Sequence, residues 1–441
     1  MPGAFFPFAN PVEFWPPPQR APLPTPPNIP NDLKNRLPVT KITIPAPDYT
    51  RNCLDWPAFR VPAGRGRQTA RVALGGSKKS AVVLPGSGIG CSLMSIFWRL
   101  LAFPGSCLAW LAAAALAHAV EESRPPFIIP VLVVGYYPTN QDRIDIRVTG
   151  DWGAPVEATL AKTRRLTREV QAALEEGSRY HGYQDTNARP SLQYRVLKTI
   201  ELFKPLPVWK KPGHRTPMTD YNAILREMGI QDWVEKQGVR EVWIWGYHGG
   251  KVDLWESNMA GPFGDVSNSD RDPADLPVLK HTYTVYHYNY QRGASEAVED
   301  HLHQIEAVLN FIDGRDRTPP SRWRELLFWG KFVGSDHTHK IVKPGCGWAH
   351  YPPNAERDYD WANPRAVETD IEDWRPDGTG KKILLDSRRW NGNSLQWFIY
   401  WMQNLPGENH GLSSEGRKLR NWWSFFGAFD QARQNQHTLV E

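Results

Sequence analysis

Cysteine is scarce, and its placement removes most of what it usually does. The 441-residue chain has four cysteines, and Cys53, Cys91 and Cys107 all precede residue 120, which leaves Cys346 alone in the remainder. No internal disulfide and no cysteine-based zinc site can form there. A basic face is missing too. The formal net charge is +5, yet residues 120–441 hold 40 Lys/Arg against 43 Asp/Glu. The excess of positive charge belongs to the amino-terminal part, and no nucleic-acid partner is expected. Phosphate-binding loops are also lacking. Gly86-Ser-Gly-Ile-Gly90 opens no helical pattern and fits neither phosphate-loop spacing, so no nucleotide cofactor is expected. There is no internal repeat.

What is present divides the chain in three. Residues 1–93 are proline-rich and have no sustained helical or strand period, the mark of a disordered extension or of a leader absent from the mature protein. Residues 94–119 read as a secretory signal. Arg99 supplies the positive start, Leu108 to Leu116 the apolar run, and Ala117-His118-Ala119 the small-x-small cleavage site. A secreted or periplasmic location follows. Contact with a membrane is expected only if this segment stays uncleaved, since Ile96 to Ala119 is long enough to span a bilayer. Residues 120–441 then form a single α/β domain with a loop-rich carboxyl-terminal half.

Phe127 to Tyr137 is an almost continuous apolar run, a buried strand whose regular part should start after Pro130. Val156 to Leu174 has helical periodicity and Gly177 as its stop. Ser191 to Phe203 reads as a second strand. Thr219 and Asp220 can cap a helix from Tyr221 towards Gln237, interrupted at Gly229, before a third strand from Glu241 to Tyr247. His281 to Tyr290 is a further strand, Ser295 to Ile312 a helix, Leu326 to Val333 a strand, and Leu395 to Gln403 a short aromatic helix. The expected fold class is α/β, with a largely parallel sheet covered by helices and long aromatic-rich loops at the strand ends.

Ligands of such sheets gather beyond the carboxyl ends of the strands. That rule puts Tyr136 and His248 on one rim, with Trp255, Glu256 and Asn258 just downstream. Tryptophan is abundant: 16 of the 20 follow residue 120. Trp255 and Trp348, in polar surroundings, suit stacking on sugars. Carboxylates alternate with aromatics at Asp358-Tyr-Asp-Trp361 and at Asp370-Ile-Glu-Asp-Trp374, and glycoside hydrolysis needs two carboxylates flanking a bond. The expected function is therefore an exported hydrolase acting on a glycan or glycoconjugate, a carbohydrate or other small polar substrate. Glu256, His248, Glu372 and Asp373 are the candidate catalytic residues. Asn258, Trp255, Trp348, Tyr136 and His301 are the candidate binding residues. The alternatives are a non-catalytic secreted carbohydrate-binding protein and a cysteine-dependent hydrolase using Cys346 paired with His248 or His350.

No cofactor is evident, apart from a calcium-like beginning at Asn268-Ser-Asp-Arg-Asp272, which lacks the glycine and the distal glutamate of a full loop. The segment Glu299-Asp-His-Leu-His-Gln-Ile-Glu306 invites a metal reading. At ~100° per residue, His301 falls in the apolar arc. Glu306, Glu299 and His303 fall at about 40°, 60° and 100° on the polar side. His301 and His303 thus diverge by roughly 160° and cannot share an ion on a regular helix. The metal ligands stay unassigned at this level.

Overall fold

The computed structural model describes residues 126–272 and 274–441. The leader and the signal-like segment lie outside them. Among the described residues no helix is long and apolar enough to cross a membrane.

The centre is a five-stranded mixed sheet. Its strands are β1 (Phe127–Tyr136), β2 (Leu192–Leu202), β3 (Glu241–Gly246), β4 (Ser257–Ala260) and β5 (Tyr283–Asn289), in the spatial order β2-β1-β3-β5-β4. Strands β2, β1, β3 and β5 are parallel, and β4 runs antiparallel along the edge of β5. The sequence pattern missed β4, because four residues inside a long polar connection show too little alternation. β1 begins earlier than expected: it pairs with β2 from Phe127 but with β3 only from Val131. Pro130 therefore falls ahead of the ladder that would need its missing donor.

Helices cover both faces. Helix α1 (Val156–Gly177) connects β1 to β2, while α2 (Tyr221–Met228) and α3 (Ile230–Glu235) connect β2 to β3. Gly229, at φ +62°, makes the break between α2 and α3, and the Asp220 side chain caps α2 by accepting from Ala223 N. After β5 comes α4 (Ala294–Ile312), and late in the chain α5 (Ser394–Met402). On β3, Glu241, Trp243 and Trp245 face α1 and α4: Trp245 Nε1 donates to Thr167 of α1, and the Trp243 ring lies edge-on to His301 of α4. On the opposite face Tyr221 of α2 meets His287 of β5, with Tyr221 Oη 3.2 Å from His287 Nδ1.

One expected strand is a helix. Leu327–Val333 forms a wide π-helical turn that ends at Gly334, at φ +83°. Its buried residues Phe328, Trp329, Phe332 and Val333 recur at helical spacing, whereas a strand would bury alternate residues.

Candidate metal centre

The crevice between β1 and β3 is where the order of strands reverses, and a doubly wound sheet usually binds its ligand there. Here the loops that follow the two strands pack backbone against backbone. A Cβ on Gly249, at φ +47°, would come within 2.0 Å of the Thr149 carbonyl oxygen, and one on Gly150 within 2.5 Å of the Gly249 oxygen. His248 is held in the resulting turn, its Nδ1 against the Val252 carbonyl and its backbone N–H on Gln291 Oε1. Tyr136 is fully buried and donates to Glu227 of α2 at 3.5 Å.

The polar convergence lies elsewhere, on the outer side of α4. Glu299 and His303 stand one turn apart there, and His350 arrives from a loop. His350 Nε2 is 2.9 Å from Glu299 Oε1, and His303 Nε2 is 3.7 Å from the same oxygen. One ligand atom from each residue lies within 4.8 Å of the others. Each histidine also has a carboxylate at its other nitrogen. His350 Nδ1 is 3.0 Å from Asp358 Oδ1, and His303 Nδ1 is 3.4 Å from Glu306 Oε2. Glu306 accepts from Ala349 N at 2.8 Å through its second oxygen, which ties the His350 loop to the helix.

Tryptophans fix that loop. Trp401 Nε1 donates to the Gly347 carbonyl at 2.8 Å, and Trp361 and Trp397 both donate to the Ala349 carbonyl, at 2.9 and 3.0 Å. Trp390 in turn donates to the Trp361 carbonyl. These indoles satisfy loop carbonyls that no sheet or helix can reach, which accounts for much of the tryptophan content.

Electrostatics binds the cluster together. Burial alone would raise the Glu299 carboxyl, but hydrogen bonds and charge from His303 and His350 outweigh it and hold the group at about 2. Burial favours neutral histidines, yet Glu256, Glu299 and Glu306 push His303 well above its ordinary value, and Asp358 and Glu299 push His350 up. Glu256 belongs to this neighbourhood. It precedes the antiparallel β4, accepts from Asn268 Nδ2 at 2.9 Å, and its charge acts on His303 and on buried Asp300. Burial, with Glu256 adding to it, raises Asp300 well above a carboxylate's usual range.

The other residues singled out in the sequence are dispersed. Trp348 does join the cluster, with its ring 5.0 Å from that of His350. Glu372 is engaged by Arg389 and Tyr400, and Asp373 by Arg375 and Lys381 N, so neither shares a hydrogen-bonding or ionic partner with Glu256. Trp255 is not a surface platform: it is 3% exposed, stacked on Tyr221, with Lys211 Nζ 4.2 Å from its ring. Asn258 is buried and accepts from Ser267 Oγ. His301 lies in the core, stacked on Tyr286 with Nε2 2.6 Å from Tyr288 Oη, and burial lowers its pKa well below normal. The calcium-like carboxylates Asp270 and Asp272 surround Lys211 together with Asp275. Cys346 is fully buried, burial raises its thiol, and neither His248 nor His350 has it as a partner.

Of the candidate site residues read from the sequence, Glu256 and Trp348 lie beside this cluster, whereas Glu299, His303 and His350 were not among them. The cue was present in the i, i+4 spacing of Glu299 and His303 on one side of the helix. It was hidden because the third member comes from a loop 47 residues beyond His303. No protein-family model matches this chain, and no curated protein sequence matches it either.

Proposed function

We propose that this chain is an exported, metal-dependent hydrolase that removes ester- or amide-linked acyl groups from a glycan or glycoconjugate. The observation that carries the reading is the double carboxylate–histidine arrangement around Glu299. In metal sites, a ligating histidine usually gives its second nitrogen to a carboxylate or carbonyl, which fixes the tautomer and aims the other nitrogen at the ion. Both His303 and His350 have that partner, and both turn Nε2 towards Glu299. Two histidines and a glutamate form a familiar ligand set for catalytic zinc.

A divalent ion held there would polarise an acyl carbonyl and acidify a bound water. Glu256 is the residue we assign to proton transfer, since its charge already acts on His303. Water would supply OH to the acyl carbon and a proton to the departing sugar oxygen or nitrogen, giving a carboxylic acid and the freed sugar group. Trp348, beside His350, and Tyr359, 53% exposed with its ring 4.0 Å from that of His350, would face the sugar rings. The sequence of residues 94–119 supports export.

Zinc titration by calorimetry, with acetate release from acetylated oligosaccharides, tests the reading. Absence of a stoichiometric site in the native protein would end it. The same rings suit a carbohydrate-binding protein without activity. Glu256→Gln separates the two, because a binder has no turnover to lose.

A further inference from the structure

Beyond the end of α4, Gly314 turns the chain at φ +81° and Arg315 begins a short 3-10 turn. The Arg315 guanidinium carbon lies 5.1 Å from the ring centre of Trp323 and 4.8 Å from that of Trp329. No carboxylate or carbonyl among the described residues accepts a hydrogen bond from it. Its acidic neighbour Asp316 pairs instead with Arg271, at 2.9 Å. The electrostatic partners that act on Arg315 are Asp316, Glu306 and Arg271. Burial pushes its pKa down to about 10, so it stays charged at neutral pH in a half-buried position.

From this arginine a continuous series of rings leads to the proposed metal centre. Trp323 is 5.8 Å from His339, His339 is 5.2 Å from Trp329, and Trp329 is 5.9 Å from Trp348. Trp348 is 5.0 Å from His350, and His350 is 4.0 Å from Tyr359. His339 and Tyr359 are exposed and Trp323 and Trp348 half-buried, while Trp329 is buried and links the solvent-facing rings from within the core. A guanidinium fixed between aromatic faces presents a planar fork of donors, which matches the oxygens of carboxylates and of sulfate or phosphate esters.

We infer that Arg315 and the rings of Trp323, His339, Trp348 and Tyr359 form an extended subsite for an anionic glycan, with an acidic substituent docked on Arg315 while another residue of the same chain lies at the metal centre. The inference rests on the proposed function for the identity of the ligand as a glycan, and it adds the charge that the ligand must carry.

The test is calorimetric binding of three probes to the native protein in the presence of zinc: neutral cellohexaose, oligogalacturonate, and a sulfated cello-oligosaccharide. At least tenfold tighter binding of one or both charged probes is expected, with the two arms distinguishing carboxylate from sulfate. Arg315→Gln should bring the charged probes down to the neutral level, and Arg315→Lys, which keeps the charge but loses the planar fork, should fall between. Equal affinity for neutral and charged probes, or an undiminished preference in Arg315→Gln, overturns the inference. Should Arg315→Gln fail to fold, an unchanged preference in folded Arg315→Lys overturns it equally. Zinc stoichiometry, measured separately, keeps the two ideas apart. Bound zinc without a charge preference removes this subsite alone, whereas an Arg315-dependent preference without zinc removes the metal reading alone.

Discussion

His350 Nε2 lies 2.9 Å from Glu299 Oε1, although 51 residues separate the two in the chain. Helix α4 provides the carboxylate and an indole-anchored loop provides the imidazole. The contact therefore depends on how that loop is held as much as on the residues that make it.

The first consequence concerns the ligand set. His303→Ala and His350→Ala should each abolish stoichiometric zinc binding, read by calorimetry and by metal content after gel filtration. Asp358→Ala removes only the partner of His350 Nδ1, and about a 10- to 100-fold loss of zinc affinity is expected. Asp358 is half-exposed, so the melting temperature of this variant should be close to that of the parent.

The loop anchors give a graded test. Trp401→Phe leaves the Gly347 carbonyl with no donor, which should cost about 1–3 kcal/mol beyond the loss of packing. Trp397→Phe removes one of two donors to the Ala349 carbonyl, which keeps the indole of Trp361, so the polar part should cost about 1 kcal/mol or less. Both rings are fully buried, and the packing losses should be similar. Urea denaturation should rank Trp401→Phe as the weaker protein; the reverse order would show that these bonds do not anchor the loop.

Glu241 makes stability depend on pH. It is buried on the α1–α4 face with Trp243 Nε1 donating to it at 2.7 Å. Burial lifts its pKa from 4.5 to about 8, and the Trp243 bond opposes this only in part. Between those values the folded protein binds the extra proton, so this group's contribution to stability falls as pH rises from about 4.5 to about 8 and then levels off. Glu241→Gln keeps an acceptor for Trp243 and removes the titration. Its stability relative to the parent should improve by a few kcal/mol, to order of magnitude, between pH 5 and pH 8. Chemical denaturation at the two pH values checks this.

Cys346 should be silent. Its raised thiol and complete burial predict negligible reaction with alkylating reagents in the native protein and rapid reaction once it is unfolded. Whatever activity the native protein has should persist in Cys346→Ala. Loss of activity on native-state alkylation would instead favour the cysteine-dependent alternative.

Much of the sheet was legible because local rules govern it. Apolar runs located β1 and β3, alternation located β5, Asp220 and Gly229 marked the start and break of the α2–α3 pair, and helical period placed α4. The same period already separated His301, in the apolar arc, from Glu299 and His303 outside it. The turn at Leu327–Val333 was misread as a strand because a short apolar run lacks the length to reveal its period.

The sequence by itself determined the α/β class, the absence of disulfides after residue 120, and the face of α4 on which each histidine lies. Those follow from side-chain period and composition, which are properties of neighbours along the chain. Only the tertiary structure decided that the loops carrying Gly150 and Gly249 meet backbone to backbone, that Trp255 is interior, and that His350 joins Glu299 and His303. Each of these is a contact between distant segments, fixed by the indole–carbonyl bonds and close backbone packing that only the folded loops create.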